Sequence, residues 1–253
     1  MHARSLIAAT ALAVAIAPLP LVAEVTGQYV TYTVNGTEFE GYVATDTARE
    51  PMGTVLIVHD WDGMTEYEES RARMLAEAGY TAFAIDVYGA DTDPQGFEEY
   101  RALSGELYAD RALFRERLMG SIAAAADIPG ATGNMVMIGY CFGGAAVLEA
   151  ARAGAALDGF VSFHGGLPTP EGQDWSMATG APVMFFHGSA DPVSGIADLA
   201  AVMDELVEAG IPHDARIYGG ARHSFTVPGS DDYVEAAAID SFAGLLEFLA
   251  EEI

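Results

Sequence analysis

The stretch MVMIGYCFGGAAVLEAA, residues 135–151, decides the fold. It starts with an apolar run typical of a buried strand and continues, from about residue 142 to residue 153, with a helical pattern. The turn between them reads Gly-Tyr-Cys-Phe-Gly, in which Cys141 stands where a strand–turn–helix elbow usually carries a serine nucleophile. Gly139 and Gly143 lack the Cβ atoms that would collide in so sharp a turn. We therefore expect Cys141 at the carboxyl edge of a parallel sheet, on a helix N-terminus whose dipole lowers the thiol pKa.

Strand and helix patterns alternate along the rest of the chain. Residues 28–34 and 38–45 flank an Asn35-Gly36 turn, which predicts an antiparallel hairpin. Further strands are predicted over 54–58, 81–87, 135–138, 159–163, 182–186 and 213–218. Helices are predicted over 66–78, 97–126 with a break near Ser104-Gly105, 142–153, 196–209 and 233–250. This order predicts an α/β fold: a mostly parallel central sheet with an N-terminal antiparallel hairpin and helices on both faces.

Composition limits the classes of protein to which the chain can belong. Its 253 residues suit one domain, which we assign to residues 24–253, and 51% hydrophobic residues are too many for a disordered chain. The formal charge is −26, with 37 acidic residues against 11 arginines and no lysine. Nucleic acid and anionic lipid are therefore not expected as partners, because both require clustered cations. The single cysteine excludes an intrachain disulfide and a multi-thiolate metal site.

The first 23 residues have the features of a secretory signal peptide. Arg4 provides a short positive region, residues 5–21 are apolar, and Ala23 is a small residue at a suitable cleavage point. The alternative is an uncleaved membrane anchor, which the two prolines and the short length disfavour. We therefore expect a periplasmic or secreted protein with no membrane contact once the signal is removed.

A thiol nucleophile needs a base and a group that orients the base. In the elbow-containing hydrolases these follow the nucleophile in the order acid, then histidine. Asp191 follows the predicted strand 182–186, and His223 lies in a loop before the last helix. Each has an alternative interpretation, Asp191 as a helix cap and His223 as a surface residue. The order favours Cys141, Asp191 and His223 as a catalytic set.

Backbone N–H groups near Cys141 are expected to form an oxyanion hole. One is that of Phe142, and the other comes from the loop after strand 54–58, where Trp61 is the candidate by position. In the same loop, Asp60 or Asp62 could lie near the sulfur. The aromatic side chains at the strand ends, which could line a substrate pocket or simply belong to the core, are Trp61, Tyr88, Trp175 and Phe225.

The remaining polar residues near strand ends have simpler interpretations. Adjacent His59 and Asp60 point to opposite faces of an extended chain, so no metal site is predicted. His164 and His187 are interpreted as hydrogen-bonded structural histidines. The acidic residues that we interpret as a solvated helix start are Glu66, Glu68 and Glu69. No phosphate-binding or dinucleotide-binding glycine motif occurs, so no cofactor is predicted.

Taken together, these segments resemble the dienelactone hydrolase family of the α/β-hydrolase fold, from about residue 55 to the C-terminus. The segments that carry the resemblance are His59-Asp60-Trp61-Asp62-Gly63, Asp86-Val87-Tyr88, Gly139-Tyr140-Cys141-Phe142-Gly143-Gly144, Gly188-Ser189-Ala190-Asp191-Pro192 and His223-Ser224-Phe225. The resemblance implies a monomer that hydrolyses a lactone or activated ester through a Cys–His–Asp triad, without a metal. It also implies that Asp60, where the family more often has glutamate, interacts with the resting thiol.

The sequence departs from this family where dienelactone-specific members carry two arginines that bind the substrate carboxylate. The corresponding positions are Gly89-Ala90 and Thr226-Val227, which offer no cation. Since bidentate arginine–carboxylate contacts are strong, we expect a neutral ester, lactone or thioester as substrate rather than an anionic dienelactone. The alternatives from other classes are a redox-active thiol protein and a non-catalytic binding domain on the same fold.

Overall fold

The computed structural model describes residues 24–253, and the signal peptide predicted for residues 1–23 lies outside the described residues. The strands are β1 (Val25–Val34), β2 (Thr37–Asp46), β3 (Thr54–Val58), β4 (Thr81–Ile85), β5 (Met135–Tyr140), β6 (Gly159–Phe163), β7 (Val183–Gly188) and β8 (His213–Tyr218). The helices are α1 (Glu66–Ala78), α2 (Phe97–Ala109), α3 (Arg111–Ala124), α4 (Phe142–Arg152), α5 (Ile196–Ala209) and α6 (Glu235–Glu252). Ala125–Asp127 form a short 3-10 turn after α3.

All eight strands belong to one sheet, in the order β1-β2-β4-β3-β5-β6-β7-β8. The hairpin β1–β2 is antiparallel and β2 also pairs antiparallel with β4, whereas β3 to β8 run parallel to one another. The carboxyl ends of β3, β5, β7 and β8 therefore meet at one edge of the sheet. The predicted α/β fold, with its N-terminal hairpin, is confirmed.

Apolar side chains cover both faces of the sheet. One cluster packs the sheet against α2, α3, α4 and α5, and includes Phe114, Val147 and Leu206. The other packs it against α1 and α6, and includes Leu75 and Leu245. The strands β3 to β7 are buried almost throughout, which explains their continuous apolar sequences. The prediction of helices on both faces is confirmed.

Most element boundaries agree with the sequence to within two residues, and one prediction was wrong in position. The helical stretch after residue 97 is interrupted at Asp110 and not near Ser104-Gly105. Asp110 leaves the helical region (φ −111°, ψ 83°), and its side chain accepts a hydrogen bond from Leu113 N–H at 3.0 Å, so it caps α3. Ser104 and Gly105 lie within α2, where the Ser104 hydroxyl donates to the Tyr100 carbonyl at 2.8 Å.

Strand β4 is shorter than predicted because Asp86 turns the chain. Its carboxylate accepts hydrogen bonds from the N–H groups of Tyr88 and Gly89 at 2.7–3.1 Å, which directs residues 86–89 away from the sheet. Within residues 24–253, the structure contains no helix with both the length and the apolar character needed to cross a bilayer.

Candidate active site

The turn between β5 and α4 has the strained geometry that the sequence predicts. Cys141 has φ +51° and ψ −109°, a conformation that non-glycine residues rarely adopt. A Cβ on Gly139 would come within 2.2 Å of the Gly143 carbonyl oxygen, and one on Gly143 within 2.2 Å of the Val58 carbonyl oxygen. Both positions therefore require glycine, because β3, β5 and α4 approach one another closely beneath the thiol.

The structure brings the three candidate catalytic side chains together. His223 Nε2 lies 2.9 Å from Cys141 Sγ, and His223 Nδ1 lies 2.8 Å from Asp191 Oδ2. The imidazole thus bridges the thiol and the carboxylate, although 82 residues separate it from Cys141 in sequence. His223 and Asp191 are buried, and Cys141 is half-buried. The arrangement can pass a proton between sulfur and imidazole while the carboxylate fixes the ring.

Asp191 is held as an anion by several donors. Burial acts to raise its pKa, but the hydrogen bond from His223 and the N–H groups of Val193 and Ser194 lower it below the usual range. The Val193 and Ser194 N–H groups donate to Asp191 Oδ1 at 2.8 and 3.1 Å. One oxygen is therefore bound by the backbone and the other is free to accept from His223.

The surroundings of Cys141 favour the protonated thiol, against the expectation from the helix dipole. Burial raises the pKa of Cys141 well above its ordinary value, and the negative charge of Asp60 and a hydrogen bond to it raise the pKa further. The Phe142 N–H, at the start of α4, acts in the opposite direction but is outweighed. The prediction of a lowered thiol pKa was wrong because burial of the sulfur, which is the largest effect, and the nearby Asp60 carboxylate together outweigh the helix N-terminus.

Asp60 is the acidic residue that the structure places against the thiol. It is only 8% exposed, and burial raises its pKa to about 6 while the hydrogen bond to Cys141 and the Trp61 N–H lower it. The Trp61 N–H donates to Asp60 Oδ1 at 2.5 Å. The candidate oxyanion donor of Trp61 is therefore engaged by Asp60 in this state, and it becomes available to a substrate oxygen only when that carboxylate moves.

The aromatic residues near the strand ends divide into two groups. Trp61 lies half-buried in the loop that follows β3, and the Tyr88 hydroxyl donates to the Trp61 carbonyl at 2.9 Å. Tyr88 also lines a cavity of about 390 Å³ on the flank of this loop. Phe225 is fully buried in the core, and Trp175 is buried with Nε1 donating to Glu205 at 2.9 Å. Of the two interpretations that the sequence allows, the core applies to Phe225, whereas Trp175 packs in the core and also lines a separate cavity of about 660 Å³ near α5.

Helix α2 supplies aromatic residues to this region that the sequence did not single out. Phe97 and Tyr100 pack edge-on against the Trp61 ring, with centroids 5.4 and 5.5 Å apart. Tyr108, near the end of α2, lies 5.4 Å from the Phe142 ring and is 38% exposed. The charges of Cys141 and Asp60 contribute to raising its pKa, after burial. An aromatic wall, formed by Trp61, Phe97, Tyr100 and Tyr108, therefore flanks the thiol. The only hint of it in the sequence is that the helix α2 follows β4.

The other histidines near the strand ends have structural partners. Buried His59 lies with Nδ1 2.6 Å from the Asp60 carbonyl and Nε2 3.3 Å from Val87 N–H. These two contacts fit a neutral ring that donates from Nδ1, and burial lowers its pKa. His164 Nε2 contacts the Thr226 hydroxyl at 2.8 Å, and His187 Nε2 the Ser194 carbonyl at 2.8 Å. No group of three or more potential metal ligands occurs among residues 24–253.

Glu68 differs from the prediction of a solvated helix start. Glu66 is exposed and Glu69 is half-buried, but Glu68 has no exposed surface. Burial raises its pKa to about 7. The pattern Thr65-x-x-Glu68 is a capping box, which the sequence analysis overlooked and which could have identified this residue.

Comparisons with known proteins agree with this geometry. The profile of the dienelactone hydrolase family matches residues 39–253. A protein of Salmonella typhimurium, provisionally named a carboxymethylenebutenolidase, is 25% identical over 228 residues, covering 85% of this chain and 84% of that protein.

Two solved structures extend the comparison. A dienelactone hydrolase-like promiscuous phosphotriesterase from metagenomic libraries is 31% identical, with a TM-score of 0.83 over 90% of this chain and 98% of its own. A dienelactone hydrolase from Anabaena variabilis is 20% identical, with a TM-score of 0.69 over 91% and 99%, and shares the fold.

Proposed function

Since the chain belongs to the dienelactone hydrolase family, we propose that it is a hydrolase of neutral carboxylic esters or lactones that uses Cys141 as nucleophile. The observation that carries this proposal is the unbroken contact from Cys141 Sγ through His223 to Asp191, at 2.9 and 2.8 Å. This arrangement follows the logic of the serine–histidine–aspartate triad, with sulfur in place of oxygen.

The first half-reaction transfers the acyl group to sulfur. His223 Nε2 accepts the thiol proton as Cys141 Sγ bonds the acyl carbon, and Asp191 stabilises the imidazolium. The carbonyl oxygen accepts from the N–H groups of Phe142 and, once Asp60 releases it, Trp61. The carbon–oxygen bond then breaks, and the alcohol oxygen takes the proton from His223. In a lactone this alcohol remains attached to the acyl group.

The second half-reaction releases the acid. His223 accepts a proton from water, whose oxygen bonds the thioacyl carbon. The carbon–sulfur bond breaks, and the sulfur takes the proton from His223. Cys141 returns to the thiol form, which its raised pKa favours at rest.

The surroundings of the site support an uncharged substrate. The 390 Å³ cavity on the flank of the loop after β3 is lined by several carboxylates, including Glu40, Asp62 and Asp93, and by none of the three triad residues. Thr226, at one position where an arginine would bind an anionic lactone, is buried and bonded to Tyr67 and His164. A negative local field disfavours an anionic substrate, whereas the wall of Trp61, Phe97 and Tyr100 suits an apolar acyl or alcohol group.

Turnover of p-nitrophenyl acetate by the wild type and by Cys141→Ala tests the nucleophile. We expect the variant to lose at least about a thousandfold in kcat/KM, as removal of a triad member does elsewhere. His223→Asn should prevent the burst of p-nitrophenol that marks acylation. Full activity in Cys141→Ala would contradict the proposal. Labelling of Cys141 by a sulfenic-acid reagent without ester turnover would favour the redox thiol. The absence of both labelling and ester turnover would favour a binding domain.

Substrate charge is tested with a matched pair, an anionic dienelactone and its methyl ester. We expect the methyl ester to be hydrolysed with the higher kcat/KM, and the difference to shrink as salt screens the field. A neutral phosphotriester belongs in the same series, because a relative is described as a promiscuous phosphotriesterase. A clear preference for the anionic lactone would refute the proposed substrate class.

Export of the chain, which residues 1–23 predict, fits the protonated thiol. Thiolates are oxidised much faster than thiols, and an exported enzyme meets an oxidising compartment. Because burial and Asp60 keep Cys141 protonated at rest, its sulfur is protected there until a substrate arrives. We propose a periplasmic or secreted location on this basis, and fractionation of cells that express the full chain tests it.

A further inference from the structure

Both backbone polar groups of Asp60 are bound by buried side chains. Its N–H donates to Glu68 Oε1 at 3.2 Å, and its carbonyl accepts from His59 Nδ1 at 2.6 Å. The Gly63 N–H, at 3.1 Å, also donates to that carbonyl. Asp60 is thus fixed at its backbone, and the only part left to move is the carboxylate that contacts the thiol.

Glu68 is not explained by helix capping alone. Its Oε2 accepts from Thr65 N–H at 3.0 Å and from the Thr65 hydroxyl at 2.7 Å, which completes the capping box. A cap of this kind needs one oxygen at the helix N-terminus, where water can reach the side chain. Here the carboxyl is wholly buried, no cation pairs with it among residues 24–253, and the second oxygen is directed at Asp60.

Burying an unpaired carboxylate is unfavourable unless it accepts several hydrogen bonds. Thr65 N–H, the Thr65 hydroxyl and Asp60 N–H all donate to Glu68, and these hydrogen bonds favour the ionised acid, against the burial that raises its pKa to about 7. An apolar residue could fill the space at lower desolvation cost, but it would leave the Asp60 N–H without an acceptor. The specific effect of Glu68 is therefore to provide an acceptor for the N–H of Asp60, two residues after the end of β3.

We propose that Glu68 is a positioning residue of the active site: its carboxylate holds the Asp60 backbone so that the Asp60 side chain stays between the Trp61 N–H and the Cys141 thiol. This role rests on the proposed function only in that Cys141 is the reactive group. Glu68 touches neither substrate nor sulfur, and it acts through Asp60.

The proposal predicts the direction of change in thiol reactivity. Asp60 raises the thiol pKa, so a loop that holds Asp60 less firmly gives a lower thiol pKa and more thiolate at neutral pH. The charged or titratable groups that face Cys141 or Glu68 are Asp60, Asp62, Tyr88, Tyr108, Tyr140, Asp191 and His223. Glu68→Gln leaves all of these in place and replaces one acceptor oxygen by an NH₂ group, which cannot accept from Asp60 or Thr65.

The experiment is the rate of alkylation of Cys141 by iodoacetamide across pH 5–10, which is specific because the chain has one cysteine. We expect Glu68→Gln to shift the profile to lower pH and to raise the rate at pH 7 by about threefold or more, since the thiolate is the reacting form. Glu66→Gln removes the same charge from the exposed first position of α1 and should leave the profile unchanged. Thr65→Ala removes the capping hydroxyl but not the contact with Asp60, and should lower the melting temperature without the shift.

A double-mutant cycle with Asp60→Asn decides whether Glu68 acts through Asp60. In the Asp60→Asn background, Glu68→Gln should produce no further shift of the alkylation profile. The proposal is overturned if Glu68→Gln behaves like Glu66→Gln, or if its shift persists without the Asp60 carboxylate. If Glu68→Gln does not fold, Glu68→Asp takes its place. This substitution keeps the charge, but the shorter side chain cannot span the distance from α1 to the Asp60 N–H. Alkylation requires no ester hydrolysis, so failure here is distinct from failure of the proposed function.

Discussion

At the scale of single residues, the chemistry depends on the Asp60 carboxylate, whose charge helps to hold the proton on the Cys141 thiol. Asp60 accepts the Trp61 N–H and its negative charge acts on the Cys141 thiol, so it engages the two groups that a substrate must use. A substrate carbonyl that displaces this carboxylate gains the oxyanion donor and removes the charge that holds the thiol proton. Binding and activation of the nucleophile are thereby linked.

Replacing Asp60 by asparagine should make the resting thiol more reactive. The pKa of Asp60 is about 6, so its charge acts on the sulfur above that pH and fades below it. We expect Asp60→Asn to raise the rate of Cys141 alkylation by about tenfold at pH 8 and to have little effect at pH 5. Asp62→Asn, which removes a charge from the same loop, is the control and should change the rate much less. Equal effects of the two variants would contradict a specific role for Asp60.

The same residue makes the stability of the fold depend on pH. Asp60 ionises near pH 4 when the chain is unfolded and near pH 6 in the native state, so between these values the native state holds more protons. The free energy of unfolding then falls as pH rises through this window. Asp60→Asn should flatten that fall, by about 2 kcal/mol between pH 3.5 and pH 7. Urea titrations at several pH values measure the difference, and a slope identical to that of the wild type would contradict the raised pKa.

At the scale of elements, the junction of β5 and α4 determines whether the site can form. A methyl group on Gly143 would overlap the Val58 carbonyl, so Gly143→Ala must push α4 away from β3. We expect a loss of stability of about 3 kcal/mol, at the upper end for overpacked positions, together with loss of esterase activity. Gly133→Ala, where a Cβ would meet nothing within 4 Å, is the matched control. Thermal unfolding of the two variants would show a large and a small shift, and similar shifts would contradict the steric argument.

The boundary between α2 and α3 depends on one side chain. Asp110 ends α2 and caps α3, which places the aromatic face of α2 beside Trp61. Asp110→Ala should lower the free energy of unfolding by about 1 kcal/mol through loss of the cap. Asp110→Asn preserves the acceptor oxygen, so its free energy of unfolding should fall by only a small part of that amount. A loss in Asp110→Asn as large as that in Asp110→Ala, measured by urea unfolding, would contradict capping as the cause.

At the scale of the whole molecule, the charge of −26 opposes the folded state. Many of these acids are exposed, and only 11 arginines offset them, of which Arg111, Arg115 and Arg152 surround the buried Glu149. Screening by salt should therefore stabilise the protein. We expect the melting temperature to rise by several degrees between about 0.05 M and about 1 M NaCl. A melting temperature that falls with NaCl would contradict the view that repulsion among the acidic side chains is the main effect of charge on stability.

The sequence by itself determined the α/β class with its mostly parallel central sheet and N-terminal hairpin, the elbow at Cys141 and the chain order of the three candidate catalytic residues, whereas the strand order came from the structure. These features are encoded locally, because apolar periodicity and glycine sterics act over a few neighbouring residues. Only the tertiary structure decided that the thiol favours its protonated form, that Glu68 is buried and that Phe225 lies in the core. Those properties depend on which distant groups meet and how much water they exclude, and no short stretch of sequence contains that information.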